Sequence, residues 1–221
     1  MRPLVIAFDV NETLLDLRVL DDVFLDALGD AALRPQWFAQ MLQVAFVGAI
    51  TDRYVDFSTA QASALRMVAD RAGVALSEDA SARVAAAMRE LPAHDDVAGA
   101  VARLREAGLR LVTLTNSPLD VVSAQLRHAG LDASFEAVLS ADEVRALKPR
   151  REAYELVARR SQVALGEVML VAAHSWDVAG ALAAGCRAAF VARPSMPLNP
   201  LGEQPEIVAP DLERVADAIL A

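Results

Sequence analysis

The sequence predicts an α/β fold, in which a parallel sheet is interrupted after its first strand by an inserted helical bundle. Three observations lead there. The run Leu4-Val5-Ile6-Ala7-Phe8 is uncharged and apolar and ends in Asp9, as a strand covered on both faces does. From Leu17 to about Leu91, apolar residues recur at three- and four-residue spacings with no strand between them. From Asp95 onward, helical patterns alternate with short apolar runs, the signature of parallel βαβ units. With 221 residues, 55% apolar and 23% charged, the chain can bury a core and an insertion.

In chain order, Val19, Leu20, Val23, Phe24 and Ala27 form one helical face, ended by Gly29. Trp37, Met41, Leu42, Ala45 and Phe46 form a second, which Pro35 opens at a helix-start position. Thr59, Ala62, Leu65, Val68 and Ala69 form a third, closing at Gly73. Ser77-Glu78-Asp79 starts a fourth, carrying Val84, Ala87 and Met88 and stopping near Pro92. A helix from Val97 to Ala107 then leads through Gly108 to the strand Leu109 to Leu114. A helix from Pro118 to about Ala129 precedes a strand at Ala137-Val138-Leu139, and a helix from Arg151 to Arg160 precedes the strand Val168 to Val171. The helix Val178 to Ala184 ends at Gly185 before a strand at Ala188 to Val191. The Pro-rich segment Pro194 to Pro210 is a loop with a short strand at Ile207-Val208, and Leu212 to Leu220 is a closing helix. The expected organisation is a Rossmann-like core of residues 1–14 and 92–221 with a helical cap of residues 15–91.

A net charge of −9 argues against a nucleic-acid partner, which would call for clustered Lys and Arg. The single Cys186 excludes an intramolecular disulfide and a cysteine zinc site. No basic segment precedes a long apolar one, and Met41 to Ile50 is too short to span a bilayer. A soluble cytoplasmic protein without a membrane partner is expected.

Ligands of open α/β sheets bind at the carboxyl ends of strands, which is where each polar candidate falls. Asp9 is there as a nucleophile or metal ligand, or as a turn cap. Thr115-Asn116-Ser117 follows the second core strand and suits an anion, while Ser117 before Pro118 equally suits a helix N-cap. Lys148 is the chain's only lysine; near Asp9 it would keep the carboxylate ionised, and otherwise it is a solvated surface group. His174 and Asp177 follow the fourth strand, three residues apart. The histidine is a general-base candidate or a satisfied partly buried side chain, and the aspartate would orient Lys148 or a water.

Asp9-x-x-x-Thr13-Leu14 at the end of a first apolar strand resembles motif I of the haloacid dehalogenase superfamily. Thr115-Asn116-Ser117, Lys148-Pro149 and the stretch through His174 to Asp177 match motifs II, III and IV in order. Phosphatases of the superfamily place a second aspartate two residues after the first, where this chain has Asn11, and motif IV offers only one acid. The chain is therefore more similar to the metal-free branch, the 2-haloacid dehalogenases. That resemblance implies hydrolysis of short 2-haloacids (haloacetate, 2-halopropionate) to 2-hydroxyacids through an ester on Asp9, with no cofactor and no metal. It implies that Thr13 supports Asp9 and that Lys148 pairs with it; Asp177 of motif IV and His174, which is this chain's own, are the further catalytic candidates. Asn11, Thr115, Asn116 and Tyr154 would hold the small anionic substrate, and Phe57, Asn116 and Trp176 would cradle the halide. A homodimer through the cap also follows from the family alone.

Two departures stand out. Phe38 occupies the slot of the family's halide-binding cap arginine, with Arg34 one turn earlier as a substitute. Ala172 and His174 replace a serine and an asparagine of motif IV, so His174 is expected to take over water activation or leaving-group hydrogen bonding. A metal-dependent phosphatase of a small metabolite and a non-catalytic binding protein are the alternatives.

Overall fold

The computed structural model describes residues 2–221. Six strands form one wholly parallel sheet: β1 (Val5–Phe8), β2 (Arg110–Thr115), β3 (Ala137–Ser140), β4 (Val168–Ala172), β5 (Arg187–Val191) and β6 (Ile207–Ala209). Their order is β3-β2-β1-β4-β5-β6. The chain thus runs outward from β1 on one side, then crosses to β4 on the other. The carboxyl end of β1 lies at that change of direction, where α/β sheets open a crevice. Phe8 lies beside Thr113 of β2 and Val171 of β4, and Asp9 N–H continues the ladder to Val171 O at 3.0 Å.

Alternation along β1 explains how both faces are covered. Ile6 and Phe8 enter one apolar cluster, and Val5 and Ala7 enter another. The first face carries α5 (Val97–Glu106), α6 (Leu119–His128) and α9 (Leu212–Leu220). The second packs against α7 (Arg151–Ser161) and α8 (Ser175–Ala184).

Between β1 and α5 stand α1 (Leu20–Leu28), α2 (Leu33–Ile50), α3 (Phe57–Ala72) and α4 (Glu78–Ala87). Asp56 and Ser77 cap α3 and α4 by accepting from the N–H groups of Thr59 and Ala80. Gly29 and Gly73 stop α1 and α3 at φ of 80° and 70°, values that favour a residue without Cβ. Trp37 is fully buried, its ring 5.1 Å from that of Phe24 and its Nε1–H donating to Gln61 O. The apolar interior of these helices is continuous with the sheet face that holds Phe8 and Val171. The two connecting segments run side by side, with an antiparallel bridge between Leu15 and Ala93.

Three expected boundaries shift. Pro35 is the third residue of α2, because Leu33 and Arg34 already turn helically. Pro118 itself is the N-cap residue of α6, with no side-chain cap bond. Most importantly, α8 begins at Ser175 and not at Val178, so Trp176 and Asp177 ride its first turn. Among the described residues, no helix is long and apolar enough to cross a membrane.

Candidate active site

Asp9, Thr13, Lys148, His174 and Asp177 converge at the carboxyl ends of β1 and β4. Lys148 Nζ donates to Asp9 Oδ1 at 2.8 Å, to Asp177 Oδ2 at 2.7 Å and to Leu114 O at 2.8 Å, which uses all three of its hydrogens. The solvated-lysine alternative is therefore wrong: the side chain is 1% exposed, and two carboxylates offset the cost of burying it. Asp9 Oδ2 accepts from the Thr13 hydroxyl at 2.6 Å and lies 3.0 Å from His174 Nδ1. The Thr13 oxygen in turn accepts from Ala173 N–H at 2.9 Å, which leaves its proton directed at Asp9.

The electrostatics follow from these contacts. Burial alone pushes the Asp9 carboxyl up, but the Lys148 ammonium and the His174 ring outweigh it and hold Asp9 well below the usual carboxylate range. Asp177 moves the other way: burial raises it, Lys148 opposes and Asp9 adds repulsion. Burial lowers Lys148, yet the two carboxylates leave it raised overall. Asp177 also accepts from the Tyr154 hydroxyl at 2.7 Å, so Tyr154 supports the far carboxylate and does not touch Asp9. A Cβ at Gly180 would stand 2.5 Å from that hydroxyl and 2.5 Å from Pro149 Cβ, so only glycine fits there.

His174 differs from expectation. Its second nitrogen, Nε2, lies 2.9 Å from Glu12 Oε2, so each ring nitrogen faces a carboxylate oxygen. Burial disfavours the charged ring, but the bonds to Asp9 and Glu12 prevail and raise it to about 9. At neutral pH the ring is a doubly donating imidazolium with no free lone pair for a water proton, unlike the neutral base considered from sequence. Phe38 stacks on it at 5.7 Å between centroids and 13° between planes, and Trp176 lies 5.1 Å away at 30°. Glu12, which sequence reasoning left without a role, adopts φ 61° and is 8% exposed. Its only sequence signal was an acid inside the turn after Asp9. Arg34 points at Asp21 and comes within 3.7 Å of Glu12 Oε1, making it a partner of Glu12.

The motif II side chains are engaged with protein. Asn116 clamps the Lys148 backbone, donating to Lys148 O at 3.1 Å and accepting from Lys148 N–H at 2.7 Å. Thr115 Oγ1 accepts from Ser117 N–H. Ser117 does not cap α6; its hydroxyl pairs with the Asn11 amide at 3.3 Å. Asn11 also accepts from Gln125 Nε2, whose amide donates to Met88 O at the end of the inserted helices. Gln125 was invisible from sequence because its partners, Asn11 in the turn after β1 and Met88 at the end of α4, lie 114 and 37 positions away. Phe57 is buried at the start of α3.

A cleft of about 300 Å³ opens beside these groups, lined by Glu12, Phe38, Leu42, Ala173, His174 and Trp176 among others, and Phe57 is not part of its wall. The indole Nε1–H of Trp176 is buried and has no partner among the described residues. Among the described residues, no group of three His, Cys, Asp or Glu side chains is disposed to hold a metal ion.

Comparison with known proteins places the chain and its fold. The model of the haloacid dehalogenase-like hydrolase family matches residues 4–185. Haloacetate dehalogenase H-2 of Moraxella sp. (strain B) is 27% identical over 97% of this chain and 96% of its own. An (S)-2-haloacid dehalogenase of Xanthobacter autotrophicus is 32% identical over 85% of this chain and 74% of its own. The solved L-2-haloacid dehalogenase from Xanthobacter autotrophicus with covalently bound chloropropionic acid superimposes with a TM-score of 0.93. It covers 99% of both chains at 27% identity. The chain belongs to the haloacid dehalogenase-like hydrolases, in their 2-haloacid dehalogenase branch.

Proposed function

We propose that this protein hydrolyses the carbon–halogen bond of short 2-haloacids, giving 2-hydroxyacids through an ester on Asp9. The observation that carries this is the unequal engagement of the Asp9 oxygens. Oδ2 has two partners, Thr13 and His174, whereas Oδ1 has Lys148 alone and keeps a lone pair for attack. In the first step Oδ1 bonds to C2 as the carbon–halogen bond breaks and its electron pair leaves with the halide. In the second, water adds to the Asp9 carboxyl carbon. Asp177, bridged to Asp9 by Lys148, takes the water proton and passes it to the departing hydroxyacid oxygen. The proton of the regenerated acid goes to solvent.

The substrate class comes from the relatives, which are named for haloacetate and (S)-2-haloacids. The aromatic wall of Phe38 and Trp176 suits a small, weakly solvated halogen. The substrate carboxylate is assigned to the first turn of α6, where helix N–H groups favour an anion. The reaction is proposed to need no metal, because the Lys148 ammonium supplies the positive charge beside Asp9 and the other acid of the site, Asp177, is bonded to that lysine and to Tyr154. The phosphatase alternative is disfavoured by Asn11, whose amide is held by Ser117 and Gln125 and cannot cycle a proton.

Halide release from chloro-, bromo- and fluoroacetate in the presence of a chelator, for wild type and Asp9→Asn, tests this reading. Release by wild type alone is expected. No release from any of the three, with turnover of phosphate esters once Mg²⁺ is restored, would replace dehalogenation by phosphoryl transfer.

A further inference from the structure

We propose that Glu12 is a positioning residue that keeps both His174 ring nitrogens as donors, so that His174 Nδ1–H and the Thr13 hydroxyl form the oxyanion site for hydrolysis of the Asp9 ester. The inference rests on the dehalogenase reading above and concerns its second step. If Oδ1 carries the substrate, Oδ2 becomes the ester carbonyl oxygen, and the two donors already on it, at 2.6 and 3.0 Å, lie where negative charge develops. Thr13 cannot turn away, because Ala173 N–H fixes its lone pair. Stacking against Phe38 and Trp176 fixes the ring plane.

Glu12 matters most once the ester forms. Esterification removes the charge of Asp9, and Glu12 is then the only carboxylate left on the ring. The charged groups around the ring are Asp9 and Glu12 in direct contact, Arg34 and Asp21 behind Glu12, and Lys148 with Asp177 behind Asp9. Phe38 of α2 and Trp176 of α8 present uncharged faces. The backbone supports the same assignment. Glu12 holds φ 61°, a left-handed conformation that disfavours a side-chain-bearing residue, and from it the carboxylate reaches His174 Nε2.

Water addition then breaks the carbonyl π bond toward Oδ2, and the two donors receive the oxyanion. Its collapse expels the hydroxyacid oxygen from the Asp9 carboxyl carbon. His174 transfers no proton in either direction.

Single-turnover rapid quench with chloroacetate, followed by intact mass for the covalent adduct, separates ester formation from ester hydrolysis. It would be run from about pH 6 to about pH 9.5, around the imidazole range. Glu12→Gln retains a hydrogen-bond acceptor and removes the charge. It is expected to form the ester but accumulate it, hydrolysing it about tenfold more slowly at the alkaline end. Its alkaline limb should shift down by about one pH unit or more. His174→Ala is expected to lose about 100-fold in hydrolysis, together with that limb. Should Glu12→Gln fail to fold, Glu12→Gly relieves the left-handed backbone and carries the same expectation. Hydrolysis by the Glu12 variant at the wild-type rate, with an unmoved alkaline limb, overturns the inference and leaves the dehalogenase reading intact. A wild type that never forms the ester overturns that reading itself.

Discussion

Replacing Lys148 with methionine keeps the length and apolar stem of the side chain and deletes the ammonium that binds two buried carboxylates. In the native site that ammonium lies 2.8 Å from Asp9 and 2.7 Å from Asp177, which are 6% and 0% exposed. Without it, Asp9 keeps Thr13 and His174, but Asp177 keeps only the Tyr154 hydroxyl against its negative charge. Breaking a buried pair from one side costs about 3–5 kcal/mol, and the orphaned Asp177 puts Lys148→Met within that range at neutral pH. The sign of the pH dependence follows. A carboxyl raised further in the folded state destabilises the fold above its unfolded value, and the penalty fades as acidification lets it take up a proton. The deficit should therefore narrow by up to about 1.4 kcal/mol per pH unit below neutrality, until it levels off near the unfolded carboxylate value of about 4. Urea unfolding of both proteins across that range measures it. A deficit under about 1 kcal/mol at neutral pH, or one that does not change with acidification, would refute the argument that Lys148 neutralises two buried charges.

Other expectations follow from single contacts. Gly180→Ala should push Tyr154 off Asp177 and cost about 1–3 kcal/mol in thermal unfolding, with slower turnover; unchanged values would mean the helix moves aside at no cost. Asn116→Ala removes two bonds to the Lys148 backbone and should cost about 2 kcal/mol while lowering halide release, whereas loss of activity at full stability would point to direct substrate contact. His174, raised to about 9 from an unfolded value of 6.5, stabilises the fold fully below the lower value and loses that contribution as pH rises through the upper one. Stability should thus fall between roughly pH 6.5 and 9 in wild type and fall less in His174→Asn, as denaturant titration at several pH values would show.

Much of the scaffold is legible in the sequence because buried parallel strands announce themselves. Val5 to Phe8 and Val168 to Ala172 are uninterrupted apolar runs, and every residue in them is buried. Such strands also locate Asp9, Lys148 and Asp177, since chemistry collects at their carboxyl ends. What escapes notice depends on side-chain direction. The Ser-Trp-Asp opening of α8 breaks the apolar period and reads as loop, although an acid in a first turn suits the positive end of a helix. Ser117 has the chemistry of a cap and the position of one, yet Asn11 takes its hydroxyl across the fold. Asn116 has the chemistry of a substrate ligand, and the bonds of its two amide atoms to the Lys148 backbone, 32 positions away, carry no local signal. The pairing of Glu12 with His174 joins residues 162 positions apart through a left-handed backbone, and no local pattern encodes that.

The central claim is that Asp9 attacks carbon and is later restored by water. A single turnover of haloacetate in oxygen-18 water, with the peptide containing Asp9 then weighed by mass spectrometry, addresses it directly. The heavy oxygen is expected to enter the Asp9 carboxylate while the first hydroxyacid released carries light oxygen from the protein. Heavy oxygen in the first-turnover product with Asp9 left unlabelled would mean that water attacks the substrate directly and that Asp9 is not the nucleophile.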